Sequence, residues 1–350
     1  MISQYPYLPI RESYRLFGAP TRDIAQVQSL LQEYFGRPVT LLNAARTGIY
    51  LALAAKRYTK TVEIMVPPYS SKCVLDTIAE RTIPTLHVSP HTKAILLVHQ
   101  YGYPQRMDIV GKIAREKGLF IIEDSAFSFD TRYKGEIVGS WGDVSIFNFS
   151  KTFKTVMGGC FLTEDGDIVD FAERYMKEQD RAPWRFISNL SLVTTVFEYG
   201  TRPESASHTL ANHFLSVFYS QYKYFPNPNK RVCHLFPNSA TLFRTQLEAR
   251  RNNLRVFREC FGGTENYPDE LEQDSDVVPF IAPYFGEKAN LERIAHALKK
   301  HDITTTVHHF DVHRNMFDPS YMPMLPIPVH QGISENMMGH ICKTISDAAS

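Results

Sequence analysis

The sequence predicts an α/β protein with a large, mostly parallel sheet and a smaller α+β unit at its C-terminal end. Between about residues 40 and 165, short apolar runs alternate with segments whose apolar residues recur at helical spacing. Such alternation is typical of a parallel sheet covered by helices on both faces. The chain has 350 residues, and domains of roughly 100–200 residues are common. We therefore predict a large unit over residues 1–230 and a small one over 231–350.

The elements of the large unit follow from the local pattern. Five apolar runs are predicted strands, at residues 62–68, 94–102, 119–124, 144–149 and 160–165. Three amphipathic segments between them are predicted helices, at residues 46–58, 71–82 and 107–118. The stretch 183–230 is rich in aromatic residues, hydroxyl groups and prolines but has weak periodicity. We predict no helices or strands for it and expect it to form an interface, a substrate loop, or both.

The small unit begins with a long amphipathic helix at about 239–261. A predicted strand at 277–285, a helix at 288–301, a strand at 303–310 and a final helix near 335–348 complete it.

Composition excludes several classes of partner. Lys and Arg number 38 against 37 Asp and Glu, and no block of like charges offers a footprint for nucleic acid or an anionic membrane. No run reaches the ~18 apolar residues of a spanning helix, and residues 1–13 lack the pattern of a signal peptide. The five cysteines are odd in number and widely spaced, which predicts neither a disulfide framework nor a zinc site. We expect a soluble, cytoplasmic protein with a small-molecule partner.

Ligands of parallel sheets bind beyond the carboxyl ends of the strands, so the residues that close strands are the first candidates. Asp124 closes the run 119–124, with Glu123 facing the other side, and Lys151 follows the run 144–149. A lysine, an acid and small or hydroxylated residues are what an enzyme needs to hold pyridoxal phosphate (PLP). Either residue alone is more typical of a structural or surface role. The common dinucleotide, P-loop, zincin and hydrolase motifs are absent from the sequence.

Four segments occur in the order of a known family. They are "LLNAARTGIYLAL" (41–53), "VPPYSSKCVLDTI" (66–78), "QYGYPQRMDIVGKIAREKGLFIIEDSA" (100–126) and "YKGEIVGSWGDVSIFNFSK" (133–151). With them the sequence resembles the DegT/DnrJ/StrS-type nucleotide-sugar aminotransferases, which are fold-type I PLP enzymes. The resemblance covers most of the chain from about residue 30, apart from 183–230. It implies a seven-stranded sheet and a homodimer with the site at the interface.

The resemblance also distinguishes two nearby lysines. The family's Schiff-base lysine stands seven and eight residues before a glycine pair. Lys151 has that spacing to Gly158 and Gly159, whereas Lys154 is only four residues from Gly158. The resemblance therefore implies that Lys151 carries the cofactor and that Lys154 is a bystander.

Further roles come from the same resemblance. Asp124 pairs with the pyridinium nitrogen, while Thr47 and Asn148 bind phosphate with help from Arg46 and the helix that follows it. Two positions depart from the family pattern. Phe127 stands where relatives have Gln or His near the ring hydroxyl, and Ser71 stands where many stack an aromatic ring. The Asn-x-Arg that relatives send across the dimer is not evident in residues 231–238.

Histidines in the C-terminal part suggest substrate contacts. His309 lies in a segment that resembles the histidine-containing segment leading to the family's substrate cleft. Residues 325–334, with His330, resemble the family's closing motif before the last helix, and either a substrate role or a packing role is open for His330. A metal site is the alternative for the first segment, because His309, Asp311 and His313 share one face of an extended chain. The resemblance favours the substrate role, with no metal.

The expected activity is a PLP-dependent transfer of an amino group, from glutamate, to a keto group of a nucleotide-linked deoxysugar or similar ketone. A PLP- or pyridoxamine-dependent sugar dehydratase is one alternative, but Lys151 argues against it because those relatives have histidine there. A non-catalytic relative that binds the cofactor or a partner protein is the other, motivated by Phe127 and Ser71.

Overall fold

A seven-stranded sheet forms the centre of the protein. The computed structural model describes residues 2, 4, 23–155, 157–200, 205–237 and 239–349. Most of residues 1–13, and Asn238 in the segment searched for Asn-x-Arg, lie outside the described residues. The strands of this sheet are β1 (Val39–Leu42), β2 (Glu63–Met65), β3 (Ile83–Thr85), β4 (Thr92–Val98), β5 (Phe120–Asp124), β8 (Val144–Asn148) and β9 (Gly159–Leu162). Their order is β1-β9-β8-β5-β4-β2-β3.

The mostly parallel sheet is confirmed. Strands β3, β2, β4, β5 and β8 pair in parallel, and β9 runs antiparallel to both β8 and β1. Helices of this part are α1 (Ile24–Phe35), α2 (Ala45–Ala55), α3 (Lys72–Arg81), α4 (Met107–Glu116), α5 (Phe149–Thr152) and α6 (Gly166–Gln179). Ile121 and Ile122 face opposite sides of β5 and both are fully buried. Burial on two faces explains why these strands are continuous apolar runs.

The stretch without a sequence assignment is largely helical. It holds α7 (Ala182–Gly200), α8 (Ala206–Gln221) and α9 (Lys230–Leu235). Helices α7 and α8 pack against each other, and we call them the helix pair. Leu192 and Leu215 are buried in it, whereas Phe186 and Leu210 are exposed. Apolar residues on both the inner and the outer faces blur the helical period, which is why the pattern was weak.

The C-terminal part contains a second sheet. Its strands, in the order β11-β13-β12, are β11 (Ile281–Phe285), β12 (His308–Asp311) and β13 (Tyr321–Pro328), and its helices are α10 (Ala240–Phe261), α11 (Lys288–Lys299) and α12 (Glu335–Ala349). Short strands β6 (Arg132–Tyr133), β7 (Glu136–Ile137) and β10 (Ser275–Asp276) form a third sheet. The division of the chain into units 1–230 and 231–350 stays a prediction.

Two sequence expectations for this part are corrected by the structure. The strand expected at 303–310 is confined to His308–Asp311, and the central strand β13 was missed. Proline is rare in central strands because it cannot donate to the ladder, yet β13 contains Pro323, Pro326 and Pro328. None of the helices among the described residues has the length and apolar character needed to cross a membrane.

Candidate active site

A cavity of about 1690 Å³ opens where β4, β5 and β8 end and α2 begins. Most of the predicted site residues line it: Arg46, Ser71, Asp124, Phe127, Asn148, Lys151 and His309. Thr47 and His330 are not among the lining residues. The cavity lies at the carboxyl ends of the parallel strands, where ligands of such sheets bind.

Lys151 is held on a very short helix. Helix α5 begins after Asn148, whose side-chain Oδ1 accepts hydrogen bonds from Ser150 N (2.9 Å) and Ser150 Oγ (2.8 Å). The Lys151 Nζ atom lies 5.0 Å from the ring centroid of Phe127 and 5.7 Å from that of Phe280. Aromatic faces at this range attract an ammonium group, so two rings hold the end of the lysine side chain. Asn148 fixes the start of the helix that carries it.

The glycine pair after Lys151 allows β9 to approach the start of α2. Gly158 has φ +99°, in the region that favours glycine. A Cβ on Gly159 would lie 2.5 Å from Phe147 O and 2.9 Å from Ala45 N. No larger residue fits there, so the pair brings the chain back into the sheet. Lys154 is not among the residues that line the cavity.

Asp124 is a nearly buried acid at the end of β5. Its side-chain Oδ1 accepts one hydrogen bond, from Ala126 N at 3.0 Å. Burial raises its pKa above the usual value, and the hydrogen bond from Ala126 N and the charge of Lys151 only partly oppose that rise. A carboxylate in this environment is well suited to pair with a cationic group in the cavity.

Glu123 faces the other side of β5 and is fully buried. Its carboxylate accepts hydrogen bonds from Gly139 N, Trp141 N, Gly142 N, Ser145 Oγ and the His99 ring. Because His99 Nδ1 accepts from Gln105 N, Nε2 carries the ring hydrogen and donates it to Glu123. Burial alone would raise the pKa of Glu123, but the bonds from His99 and the two glycines hold it below its usual value. Glu123 therefore anchors the loop before β8 instead of serving the cavity.

The start of α2 offers an anion-binding environment. Its N-cap residue, Ala44, makes no side-chain capping bond, and Ala44, Ala45 and Arg46 line the cavity. The Arg46 guanidinium lies 4.1 Å from the ring centroid of Tyr219. Its Nη1 atom is buried without a hydrogen-bond partner among the described residues. An uncapped helix N-terminus beside an unsatisfied guanidinium fits a phosphate group.

Thr47, the other predicted phosphate ligand, is fully buried and donates its hydroxyl hydrogen to Asn43 Oδ1 at 2.5 Å. Its role as a phosphate ligand stays a prediction. Tyr219 comes from α8 of the helix pair, so the stretch 183–230 forms part of the cavity wall. Ser71 is the exposed N-cap residue of α3 and also lines the cavity.

Tyr101 and His308 also line the cavity, and neither was assigned a cofactor or substrate role from the sequence. The Tyr101 hydroxyl lies 2.6 Å from His308 Nδ1, and Thr306 Oγ1 lies 3.1 Å from Nε2. Burial lowers the pKa of His308. Tyr101 also has φ +55°, an unusual value that is often found at functional sites. The available signal was its position just after the end of β4, where strand-closing residues collect.

The two histidines predicted to contact the substrate, His309 and His330, have different surroundings. His309 lines the cavity, and its main-chain carbonyl accepts from Gln100 Nε2 at 2.8 Å. His330 is buried in a turn, where its Nδ1 accepts from Gly332 N at 3.1 Å. A substrate contact by either histidine stays a prediction.

Asp311, named in the metal alternative, accepts main-chain hydrogen bonds from His313, Asn315 and Ser320. The described residues contain no group of three or more His, Cys, Asp or Glu able to hold a metal ion.

Comparison with known proteins supports the family resemblance. Residues 77–185 match the sequence model of the DegT/DnrJ/EryC1/StrS aminotransferase family. The chain is 42% identical over 85 residues to the GDP-perosamine synthase of Escherichia coli O157:H7, covering 24% of this chain and 23% of that protein. It is 31% identical over 149 residues to the spore coat polysaccharide biosynthesis protein SpsC of Bacillus subtilis, covering 37% and 38%. These matches span well under half the length of either relative.

Solved structures extend the similarity over the whole fold. The aminotransferase TlmJ from Streptoalloteichus hindustanus superposes with a TM-score of 0.69 at 16% identity, covering 97% of this chain and 94% of that one. The structure of DesI in the presence of its TDP-sugar product gives a TM-score of 0.71 at 15% identity, covering 100% and 93%. The predicted resemblance and the predicted fold class, a fold-type I α/β architecture, are confirmed.

Proposed function

We infer that this chain, whose residues 77–185 carry the sequence pattern of the DegT/DnrJ/EryC1/StrS aminotransferases, is a PLP-dependent sugar aminotransferase. It transfers an amino group from an amino acid, glutamate by family resemblance, to a keto group of a nucleotide-linked deoxysugar. The observation that carries the proposal is the convergence of three groups on one cavity. These are the Lys151 amine, the nearly buried Asp124 and the unsatisfied guanidinium of Arg46.

The residues present fit three groups of the cofactor: the phosphate, the ring nitrogen and the aldehyde. Arg46 and the uncapped start of α2 would hold the phosphate. Asp124 would pair with the protonated ring nitrogen, which relieves the cost of burying its carboxylate. Lys151 would bind the cofactor covalently. When bound, PLP supplies an electron sink that stabilises negative charge on the substrate carbon.

The chain itself supplies proton transfer, orientation and charge. The Nζ atom of Lys151 can accept the proton from the substrate carbon and deliver it again, as a positioned general base and acid. Phe127 and Phe280 confine that atom. Asp124 stays ionised beside a cation, because the attraction between them offsets the burial that raises its pKa when it is alone.

One observation favours a second candidate. Phe127 cannot hydrogen-bond the ring hydroxyl, as Gln or His would at that position in the resembling family, so a non-catalytic relative that binds PLP or a partner is the alternative. The dehydratase alternative is disfavoured by Lys151.

The test is spectroscopic. Purified protein mixed with PLP should develop the visible absorbance band of lysine-bound cofactor, and glutamate should convert that band to the pyridoxamine form. A keto-deoxysugar nucleotide should then restore it. Absence of the band would contradict the proposal, while a band that glutamate leaves unchanged would favour the non-catalytic candidate. A set of keto sugars differing in nucleotide and keto position would identify the acceptor.

We further propose that the enzyme acts as a homodimer in the cytoplasm. The outer face of the helix pair supports the dimer, because α7 exposes Phe186, Leu190 and Phe197 while α8 exposes Leu210, Phe214 and Val217. The spacing of these residues places them along one stripe on each helix. Contiguous apolar surfaces of this kind mark interaction sites, and the helix pair also walls the cavity. The cytoplasmic location stays a prediction from the sequence.

A further inference from the structure

Arg250, on α10, is a cation buried in the protein. Only 1% of its surface is exposed. No carboxylate of the described residues pairs with it, and burial lowers its pKa to about 9, so it remains charged at neutral pH. Burying a charge is costly unless other groups compensate. The compensating groups therefore indicate what this arginine does.

The guanidinium binds the end of the helix that carries Lys151. Its Nη2 atom donates to the main-chain oxygens of Lys151 (2.9 Å) and Thr152 (3.1 Å). The last carbonyls of a helix have no partner within the helix and carry partial negative charge. Arg250 thus caps α5 directly at the predicted cofactor lysine.

The other guanidinium contacts reach two further segments of the chain. Nη1 donates to Pro279 O (3.2 Å), one residue before Phe280, whose ring centroid is 5.7 Å from Lys151 Nζ. Nε donates to Gln331 Oε1 at 3.2 Å, and Gln331 Nε2 donates to Thr152 O at 2.8 Å. One side chain therefore ties together the helix of Lys151, the segment of Phe280 and the turn at Gln331.

We propose that Arg250, supported by Gln331, is a positioning residue that fixes the Lys151 amine relative to the bound cofactor and substrate. The inference rests on the proposed function. Removing the guanidinium frees both the end of α5 and the segment of Phe280, so Nζ would sample more positions. A displacement of about 1 Å at a reacting group can reduce the rate roughly a hundredfold.

Three variants test the inference. Arg250→Met keeps the length and removes every donor, and Arg250→Lys keeps a charged donor. Arg255→Met is the matched control, because Arg255 lies on the same helix in exposed ion pairs with Glu259 and Glu335. Arg250→Met should lower kcat by roughly ten- to a hundredfold with KM for glutamate little changed, the signature of an interaction that matters for the transition state. It should also shift the pH titration of the lysine-bound cofactor band. Arg250→Lys should restore part of both effects.

A merely structural role would give a different result. It would lower the melting temperature of Arg250→Met but leave the band titration and kcat, measured well below that temperature, equal to those of Arg255→Met, and this outcome would overturn the inference. If Arg250→Met does not fold, Gln331→Leu removes one bond to Thr152 O and should change the titration in the same direction by less. An unchanged titration in Gln331→Leu would then overturn it. Failure of the wild-type protein to form the band contradicts the proposed function instead.

Discussion

Glu123 and Asp124 are neighbours on β5, yet their surroundings shift the two pKa values in opposite directions. Five hydrogen bonds satisfy Glu123 on one face of the strand, and its pKa is lowered. Asp124 receives one bond from Ala126 N on the other face, and burial raises its pKa. A strand places successive side chains on opposite faces, so one carboxylate is structural while its neighbour is available to a ligand.

Glu123→Gln should destabilise the fold. The amide would present hydrogens to main-chain N–H groups, and breaking a buried charged network costs about 3–5 kcal/mol. Because the folded pKa of Glu123 is lowered, its stabilising effect is present above the usual value of 4.5 and lost as pH falls through the folded value. Urea unfolding, measured from pH 7 downward, should show that the difference in the free energy of unfolding between wild type and variant becomes smaller as the pH falls. Glu164→Gln is the control, because the Glu164 carboxylate, which pairs with Arg37, is exposed. Equal losses in the two variants would contradict the anchoring role.

Asp124→Asn should separate stability from function. A raised folded pKa means that the neutral, protonated carboxyl group is the form that the fold tolerates, so its contribution to stability is fully present below the unfolded pKa and is lost as pH rises through the folded pKa. The neutral amide avoids that loss, so the cofactor-free variant should melt higher than wild type at pH 7 and not at acidic pH. Activity with PLP should fall roughly a hundredfold or more, the scale of losing a fixed electrostatic partner.

Calorimetry of the cofactor-free proteins at pH 7 and near pH 4, with activity assays on the loaded ones, tests both effects. Asp76→Asn, at an exposed pair with Lys72, should change neither. A lower melting temperature in Asp124→Asn at pH 7 would show that the attraction to Lys151 outweighs burial.

The sheet could be predicted because its strands are buried on both faces and read as apolar runs. Two parts could not. Strand β13 was not predicted because it contains prolines, which are rare in central strands. The helix pair was not predicted because it carries apolar residues on its outer face as well as on its inner face. In both cases the structure of the segment depends on how it packs against other elements, which its own residue pattern does not show.

The residues around the cavity also divide into some that the sequence could predict and one, Arg250, that it could not. The positions of Asp124 and Lys151 beside one cavity could be predicted because both follow the ends of strands, and the family resemblance distinguished Lys151 from Lys154 by its spacing to the glycine pair. Arg250 lies 99 residues from Lys151, on a helix that was predicted from its apolar face alone. Its burial depends on the packing of α10 against α5, which no local pattern reveals.

Lys151→Ala and Lys154→Ala should differ completely. Lys151 lines the cavity between two aromatic rings, whereas Lys154 is not among the lining residues. Loss of Lys151 should abolish the cofactor absorbance band and lower kcat by roughly 10²- to 10⁴-fold, the usual contribution of a proton-transferring group. Lys154→Ala should match wild type in both measurements. A band lost only in Lys154→Ala would overturn the assignment.

Arg46→Met should weaken PLP binding through the phosphate alone. A charge-assisted hydrogen bond contributes about 1.5–3 kcal/mol, which corresponds to a dissociation constant roughly ten- to a hundredfold higher. Fluorescence titration should show this change for PLP but not for pyridoxal, which lacks the phosphate. Arg57→Met, an exposed arginine just beyond the far end of α2, is the matched control. Similar losses for PLP and pyridoxal in Arg46→Met would place the guanidinium at another part of the ligand.

The outer stripe of α8 should control assembly. Leu210 and Phe214 are 60% and 54% exposed, so Leu210→Glu/Phe214→Glu should leave the protomer folded while placing charges in the proposed interface. In a twofold dimer each residue occurs twice, and central apolar residues contribute about 2 kcal/mol or more each. The dissociation constant of the dimer should therefore rise by at least roughly a hundredfold.

Sedimentation at micromolar concentration should give a dimer for wild type and a monomer for the double variant. Ser216→Glu, exposed and two positions from Phe214 on a different face of the helix, should remain dimeric. A wild-type monomer, or a double variant that stays dimeric with unchanged affinity, would place the contact elsewhere.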